Sequence, residues 1–217
     1  MKRTANRYLM MSVCSLRGYA AVHYEWAELY QQVNGCTGCG LSQARTKVVI
    51  GAGNPSAKIM FIGEGPGRDE DLQGIPFVGA AGKLLDKMLA AIGLDRTKTY
   101  ICNIVKCRPP ENRVPTDAEA AACLPYLRAQ FALVQPKIIV CLGATAARYI
   151  YDESVRITRD RGAWKCKKGI WILPTYHPAA LLRDESKKRD AWDDMKKLKA
   201  KYEELCPESG RKAPSGG

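Results

Sequence analysis

The chain has 217 residues, 46% of them hydrophobic, enough for one packed core and too many for a disordered or fibrous class. Thirty-four Lys and Arg against 22 Asp and Glu leave a net charge of +12, which favours a polyanionic partner, because each neutralised phosphate releases counterions. No apolar run approaches the roughly 18 residues of a membrane-spanning helix.

Residues 1–23 carry no periodic pattern and are expected to form an irregular extension. Lys2, Arg3 and Arg7 precede an apolar stretch, but Arg17 interrupts it and no small-residue cleavage site follows, so no export signal is read. The nine cysteines are then reduced thiols of a cytoplasmic protein.

Trp26, Leu29, Tyr30 and Val33 have helical spacing within Tyr24–Val33, and Asn34-Gly35 stops that helix. Cys36-Thr-Gly-Cys39 follows at once. Val48–Ile50 reads as a short strand or edge segment, closed by Gly51, Gly53, Asn54 and Pro55. Ile59–Ile62, apolar and too short for a helix, reads as a buried parallel strand. It runs into Gly63-Glu-Gly-Pro-Gly67, where small residues let the backbone approach a planar or anionic group. A dinucleotide loop would lead straight into a helix, whereas here Pro66 and the acidic Asp69, Glu70 and Asp71 come next.

Gly82–Ile92 places Leu84, Leu85, Met88, Leu89 and Ile92 on one helical face, ended by Gly93. Thr99–Val105 is a second strand that carries Asn103 toward the same sheet edge. Pro109, Pro110 and Pro115 forbid regular structure in the loop that follows. Thr116 with Glu119 forms a capping box that opens a helix to about Val134. Lys137–Leu142 is a third strand, Gly143 a turn and Ala144–Tyr151 a short helix. Gly169–Pro174 is a fourth strand leading into Thr-Tyr-His-Pro, and a charged helix runs from about Glu185 to Leu205. The Pro/Gly/Ser-rich tail, residues 206–217, is expected to be disordered. Residues 24–205 thus read as one α/β domain whose alternating strands and helices predict a parallel sheet covered on both faces.

Two cysteines two residues apart can aim both thiolates at one centre, which makes Cys36 and Cys39 metal-ligand candidates. Two more ligands are needed, from Cys14, Cys102, Cys107, Cys123, Cys141, Cys166 and Cys206. Cys102 and Cys141 sit in apolar strands and read as core residues, while Cys107 and Cys123 bracket the proline loop. Four thiolates suit zinc or an iron–sulfur cluster, and spacing does not choose between them.

With the glycine loop, Asn103, the cysteines and the late His-Pro stretch in view, the chain resembles the family 4 uracil-DNA glycosylases. The matching segments are Gly63-Glu-Gly-Pro-Gly67, Glu70-Asp71, Gly74-Ile-Pro-Phe-Val-Gly79, Asn103-Ile-Val-Lys-Cys-Arg-Pro-Pro110 and His177-Pro-Ala-Ala-Leu-Leu-Arg183. The resemblance spans about Cys36–Arg183. It implies a three-layer α/β/α sandwich around a four-stranded parallel sheet. It also implies a [4Fe-4S] cluster on Cys36, Cys39, Cys107 and Cys123, with zinc as the alternative, and removal of uracil from DNA. A related branch that bonds covalently to uracil-DNA carries a basic, His-containing insertion after the Asn motif. Its absence from Cys107–Arg113 implies turnover. The expected partner is uracil-containing DNA, met by a monomer without membrane or nucleotide cofactor. A non-catalytic DNA-binding module on the same scaffold is the competing reading.

Excision requires a grip on a flat ring, a reader of its edge and a donor for the charge that develops on O2. Phe77, in a loop among glycines, suits stacking. Asn103 can accept from N3–H and donate to O4. His177, at a strand end, can donate to O2, assisted by backbone N–H groups around Gly63 and Gly65. Water is assigned first to Glu64, from its place in the glycine loop, and second to Asn112; Gly65 stands where another branch of the resembled superfamily has an aspartate. Glu70 is read as a guard of the C5 edge. Leu181, Leu182 and Arg183 form a candidate wedge with arginine on a phosphate, and Arg108, Arg113, Lys187, Lys188 and Arg189 are candidate phosphate contacts.

Overall fold

The computed structural model of the chain describes residues 25–207. The expectations for residues 1–23 and for the tail from 208 onward lie outside them, as do Cys14 and His23. Helix α1 (Trp26–Asn34) is followed by β1 (Ala52–Gly53), β2 (Ile59–Gly63), α2 (Arg68–Gln73), α3 (Ala80–Ala91) and β3 (Thr99–Asn103). Then come α4 (Asp117–Val134), β4 (Ile138–Leu142), α5 (Ala144–Ile150), α6 (Ile157–Asp160), β5 (Lys165–Lys167), β6 (Ile170–Thr175), α7 (Pro178–Arg183) and α8 (Lys187–Leu205).

One mixed sheet runs in the order β1-β3-β2-β4-β6-β5. The four inner strands are parallel, and β1 and β5 add to the two edges in antiparallel sense. The expected four-stranded sheet is therefore corrected to six strands. The two additions are two and three residues long, too short for a period to register, and are held by their neighbours' ladders. The early edge strand also lies at Ala52–Gly53, after the predicted Val48–Ile50. The acidic run after Gly67 is helical in α2, and the last predicted helix is preceded by the separate α7.

The inner strands are apolar because both faces are covered. Met60, Ile62, Cys102 and Cys141 face a layer containing Leu127, Phe131 and Val134 of α4 and Ala146 and Ala147 of α5. Ile59, Phe61, Val140 and Leu173 face Leu85 and Leu89 of α3 and Met195 and Leu198 of α8. This alternation is the strand period of two, turned into a three-layer sandwich. At the start of α4, Thr116 Oγ1 accepts the Glu119 N–H at 3.2 Å and the Glu119 carboxylate accepts the Thr116 N–H at 2.8 Å. Among the described residues, no helix is long and apolar enough to cross a membrane.

Candidate active site

In a parallel sheet, the loops beyond the carboxyl ends of the strands converge, because every strand there hands over to a crossover. Here the ends of β2, β3, β4 and β6 open into one cavity of about 600 Å³. Of the predicted residues, Glu64, Gly65, Glu70, Phe77 and Asn103 line it from the first half of the chain. Asn112, Arg113, His177 and Arg183 line it from the second.

Asn103 is 1% exposed, and its Oδ1 is buried without a hydrogen-bond partner. An unpaired buried acceptor is costly, and this one belongs to a residue that lines the cavity. Gly63 stands opposite Asn103 in the ladder. A Cβ at Gly63 would collide with Asn103 Oδ1 and come within 2.6 Å of Phe77 Cζ. The glycine therefore makes room for both groups while not itself lining the cavity.

Phe77 adopts φ +56, a conformation that non-glycine residues rarely occupy and that must be held from outside. Arg96 holds it: the guanidinium donates to Pro76 O at 3.0 Å and to Phe77 O. Gly82 helps, since a Cβ there would strike the Phe77 carbonyl. The Phe77 ring stacks against the His177 ring, with centroids 5.5 Å apart and 29° between planes.

His177 caps α7 by accepting the Ala179 N–H on Nδ1 at 3.1 Å. That bond fixes the neutral tautomer and leaves Nε2–H as a donor. Burial, seconded by Arg183 and opposed by Glu70, draws its pKa down to about 4. The ring is thus neutral at physiological pH, suited to donating a hydrogen bond and unsuited to acting as an imidazolium acid.

Glu64 accepts a hydrogen bond from the Thr145 hydroxyl at the start of α5. Asn112, at φ +57 in the proline loop, accepts from Arg108 Nε at 2.8 Å through Oδ1. Glu70 binds the main chain: its carboxylate accepts from Gly67 N at 3.1 Å and from Val78 N and Gly79 N at 2.9 Å each. It ties the glycine loop to the Phe77 loop, so its carboxylate is already engaged at the position assigned to the C5 guard.

The wedge needs one correction. Leu181 is 2% exposed and packs with Tyr176 and Ala191, so its side chain belongs to the core; Leu182, 46% exposed, is the residue facing outward. Arg113 is paired through both terminal nitrogens with Glu119, at 2.8 and 2.7 Å, which holds the Glu119 carboxyl down at about 2. Lys187 and Lys188 pair with Asp184 and Glu185 within their own helix start.

Sequence reasoning missed four supporting residues. Thr145 sits just past a strand end, the same signal that singled out Asn103 and His177. Arg96 reaches back across nearly twenty residues and has no local signature. Arg161 and Asp194 form a bidentate pair, and the Thr175 hydroxyl donates to Asp194 at 2.7 Å, fixing the end of β6 just before His177.

Beside this cavity, the loop after α1, the Lys106-Cys107 turn and α4 bring Cys36, Cys39, Cys107 and Cys123 into one electrostatic neighbourhood. N–H groups face the sulfurs: Arg45 Nη1 donates to Cys107 at 3.2 Å, Lys106 N to Cys123 at 3.3 Å and Gly38 N to Cys36 at 3.4 Å. The Tyr126 hydroxyl also bonds Cys36, which with burial pushes its pKa up to about 12. Cys102 and Cys141 are fully buried in strands, as predicted. Among the described residues, no three His, Cys, Asp or Glu side chains are grouped as a single metal ion requires.

Residues 50–196 match the family model of the uracil DNA glycosylase superfamily. The chain belongs to the uracil DNA glycosylase superfamily. Within it, the chain is similar to the type-4 uracil-DNA glycosylase of Thermotoga maritima, at 47% identity over 78% of this chain and 91% of the relative. The type-4 enzyme of Sulfurisphaera tokodaii is 46% identical over 79% of this chain and 82% of its own length. That of Archaeoglobus fulgidus is 43% identical over 87% and 95%. The cavity lies where the loop after β2, the end of β3 at Asn103 and the His177-Pro178 turn meet, within the matched residues.

Proposed function

We propose that this chain is a monofunctional uracil-DNA glycosylase, acting in the cytoplasm as a monomer built on one domain, residues 24–205. It turns a uracil nucleotide out of DNA and hydrolyses the N-glycosidic bond, leaving an abasic site. Flipping costs a few kcal/mol, least for a mispaired base. The observation that carries the reading is the unpartnered Asn103 Oδ1, set beside an aromatic ring and a neutral imidazole donor. Uracil answers all three: N3–H donates to Oδ1, the ring stacks on Phe77, and O2 accepts from His177 Nε2–H.

As the bond breaks, negative charge gathers on O2, and a preorganised neutral donor in a water-poor site stabilises it without reorganisation. Glu64, held by Thr145, orients the attacking water on the opposite side of the sugar. Asn112 is second, because Arg108 already occupies its carbonyl oxygen. Leu182 fills the gap left in the stack, with Arg183 on a phosphate.

Cys36, Cys39, Cys107 and Cys123 are assigned to a [4Fe-4S] cluster. The N–H shell around the sulfurs supports this, since hydrogen bonds to thiolate sulfur accompany and tune such centres. Zinc, the alternative, would use the same four thiolates, each at about 2.3 Å from one ion. When bound, the cluster cross-links the α1 loop, the proline loop and α4; no step of hydrolysis runs through it.

The decisive experiment incubates purified protein with a uracil-containing oligonucleotide and then with alkali. Cleavage at the uracil position is expected. An intact strand would leave a non-catalytic DNA-binding module instead.

A further inference from the structure

Among the described residues, Lys106 is the only lysine or arginine that is fully buried, at 1% exposure. Its ammonium donates to the main-chain carbonyl of Asn103 at 2.6 Å. The two buried carboxylates are committed elsewhere, Asp71 to the main chain at Thr46 and Asp194 to Arg161. A buried cation without a counter-charge is costly, and retaining one calls for an anionic neighbour. Lys106 directly precedes Cys107, and its main-chain N–H donates to Cys123 Sγ at 3.3 Å.

We propose that Lys106 is a positioning residue joining the cysteine centre to the base-reading amide, its buried ammonium set between the negative charge of the four-thiolate group and the Asn103 carbonyl. The inference rests on the reading of Cys36, Cys39, Cys107 and Cys123 as one ligand set. Four thiolates leave an iron–sulfur centre with net negative charge, a partner that the buried carboxylates of the described residues do not supply. The same ammonium grips the carbonyl at the end of β3, where the orientation of the Asn103 side chain is decided. Loading of the centre and the aim of the uracil-reading group are therefore coupled through one side chain, and charge neutralisation supplies the coupling.

The test uses iron-loaded protein and Lys106→Met, which keeps length and removes charge. The midpoint potential of the centre should move to more negative values, because a nearby positive charge favours the reduced state. Visible absorption should bleach several-fold faster under a chelator. Uracil excision should fall about tenfold to a hundredfold while affinity for uracil-free DNA is kept. Lys106→Arg should restore the potential. Unchanged potential and bleaching in Lys106→Met would overturn the proposal. If Lys106→Met does not fold, Lys106→Arg decides: retained charge must return colour and potential, and failure to do so overturns it as well. Wild-type protein that binds no iron would sink the ligand assignment and this inference together, whereas an iron-loaded wild type with an indifferent Lys106→Met sinks the inference alone.

Discussion

The cavity at the strand ends and the cysteine flank beside it are built in opposite ways. The cavity is complete without its ligand: its glycine, its strained Phe77 and its capped His177 are each held by protein groups, and only Asn103 Oδ1 is left over. The cysteine flank consists of thiols on three separate elements, met by the main-chain N–H groups of Gly38 and Lys106 and by the Arg45 guanidinium. One region leaves a single buried acceptor unpaired beside an aromatic ring; the other gathers four thiols among N–H donors. Substitutions in the cavity should therefore silence chemistry and leave colour, whereas removal of iron should loosen the loops first.

The sharpest way to break that contrast is His177→Ala. Its excision rate should fall about 100- to 1,000-fold, as when an oxyanion donor is removed, with DNA affinity and visible absorption retained. Loss of colour in this variant would mean that the two regions are one. Next comes Asn103→Asp, which cannot donate to O4 and should lower excision about tenfold to a hundredfold, read by kcat/KM on a single-stranded uracil oligonucleotide. Gly63→Ala should cost about tenfold, since its methyl must displace Asn103 or Phe77, again with iron content unchanged.

Two smaller effects sharpen the comparison. Leu182→Ala should slow excision from duplex DNA a few-fold and spare single strands, whereas Leu181→Ala should lower the melting temperature and spare turnover by the folded fraction. The pH effect is the smallest. His177 has a pKa of about 4 when folded and near 6.5 when unfolded. Between those values the unfolded chain binds a proton that the folded chain refuses, so stability falls as pH drops through that window. His177→Asn should flatten this part of the curve, measured by denaturant unfolding at a series of pH values.

Much of the cavity was legible because strand ends announce themselves. Short apolar runs closed by Gly63, Asn103 and the His177-Pro178 turn declare both the element and its exit, and the sheet rule brings such exits together. The capping box at Thr116 and Glu119 was legible for the same reason, since its partners lie within one helical turn. Glu70, Leu181 and Arg96 were not. A carboxylate or leucine of the right type at the right motif position looks the same whether it faces ligand or core. A guanidinium that props a loop many residues away leaves no local pattern. The edge strand β5 escaped and β1 was placed a few residues early, because two or three residues hold no period.

The order of the inner strands and the longer helices, the buried character of those strands and the candidate site residues follow from the chain alone, because propensity, periodicity and turn chemistry are local. Which of those residues share a cavity, which carboxylate is already spent on backbone N–H groups, and that a lysine next to Cys107 is sealed inside with its ammonium on the Asn103 carbonyl were settled by packing. Those outcomes depend on distances between segments far apart in sequence, and burial changes what a charge or an unpaired lone pair costs.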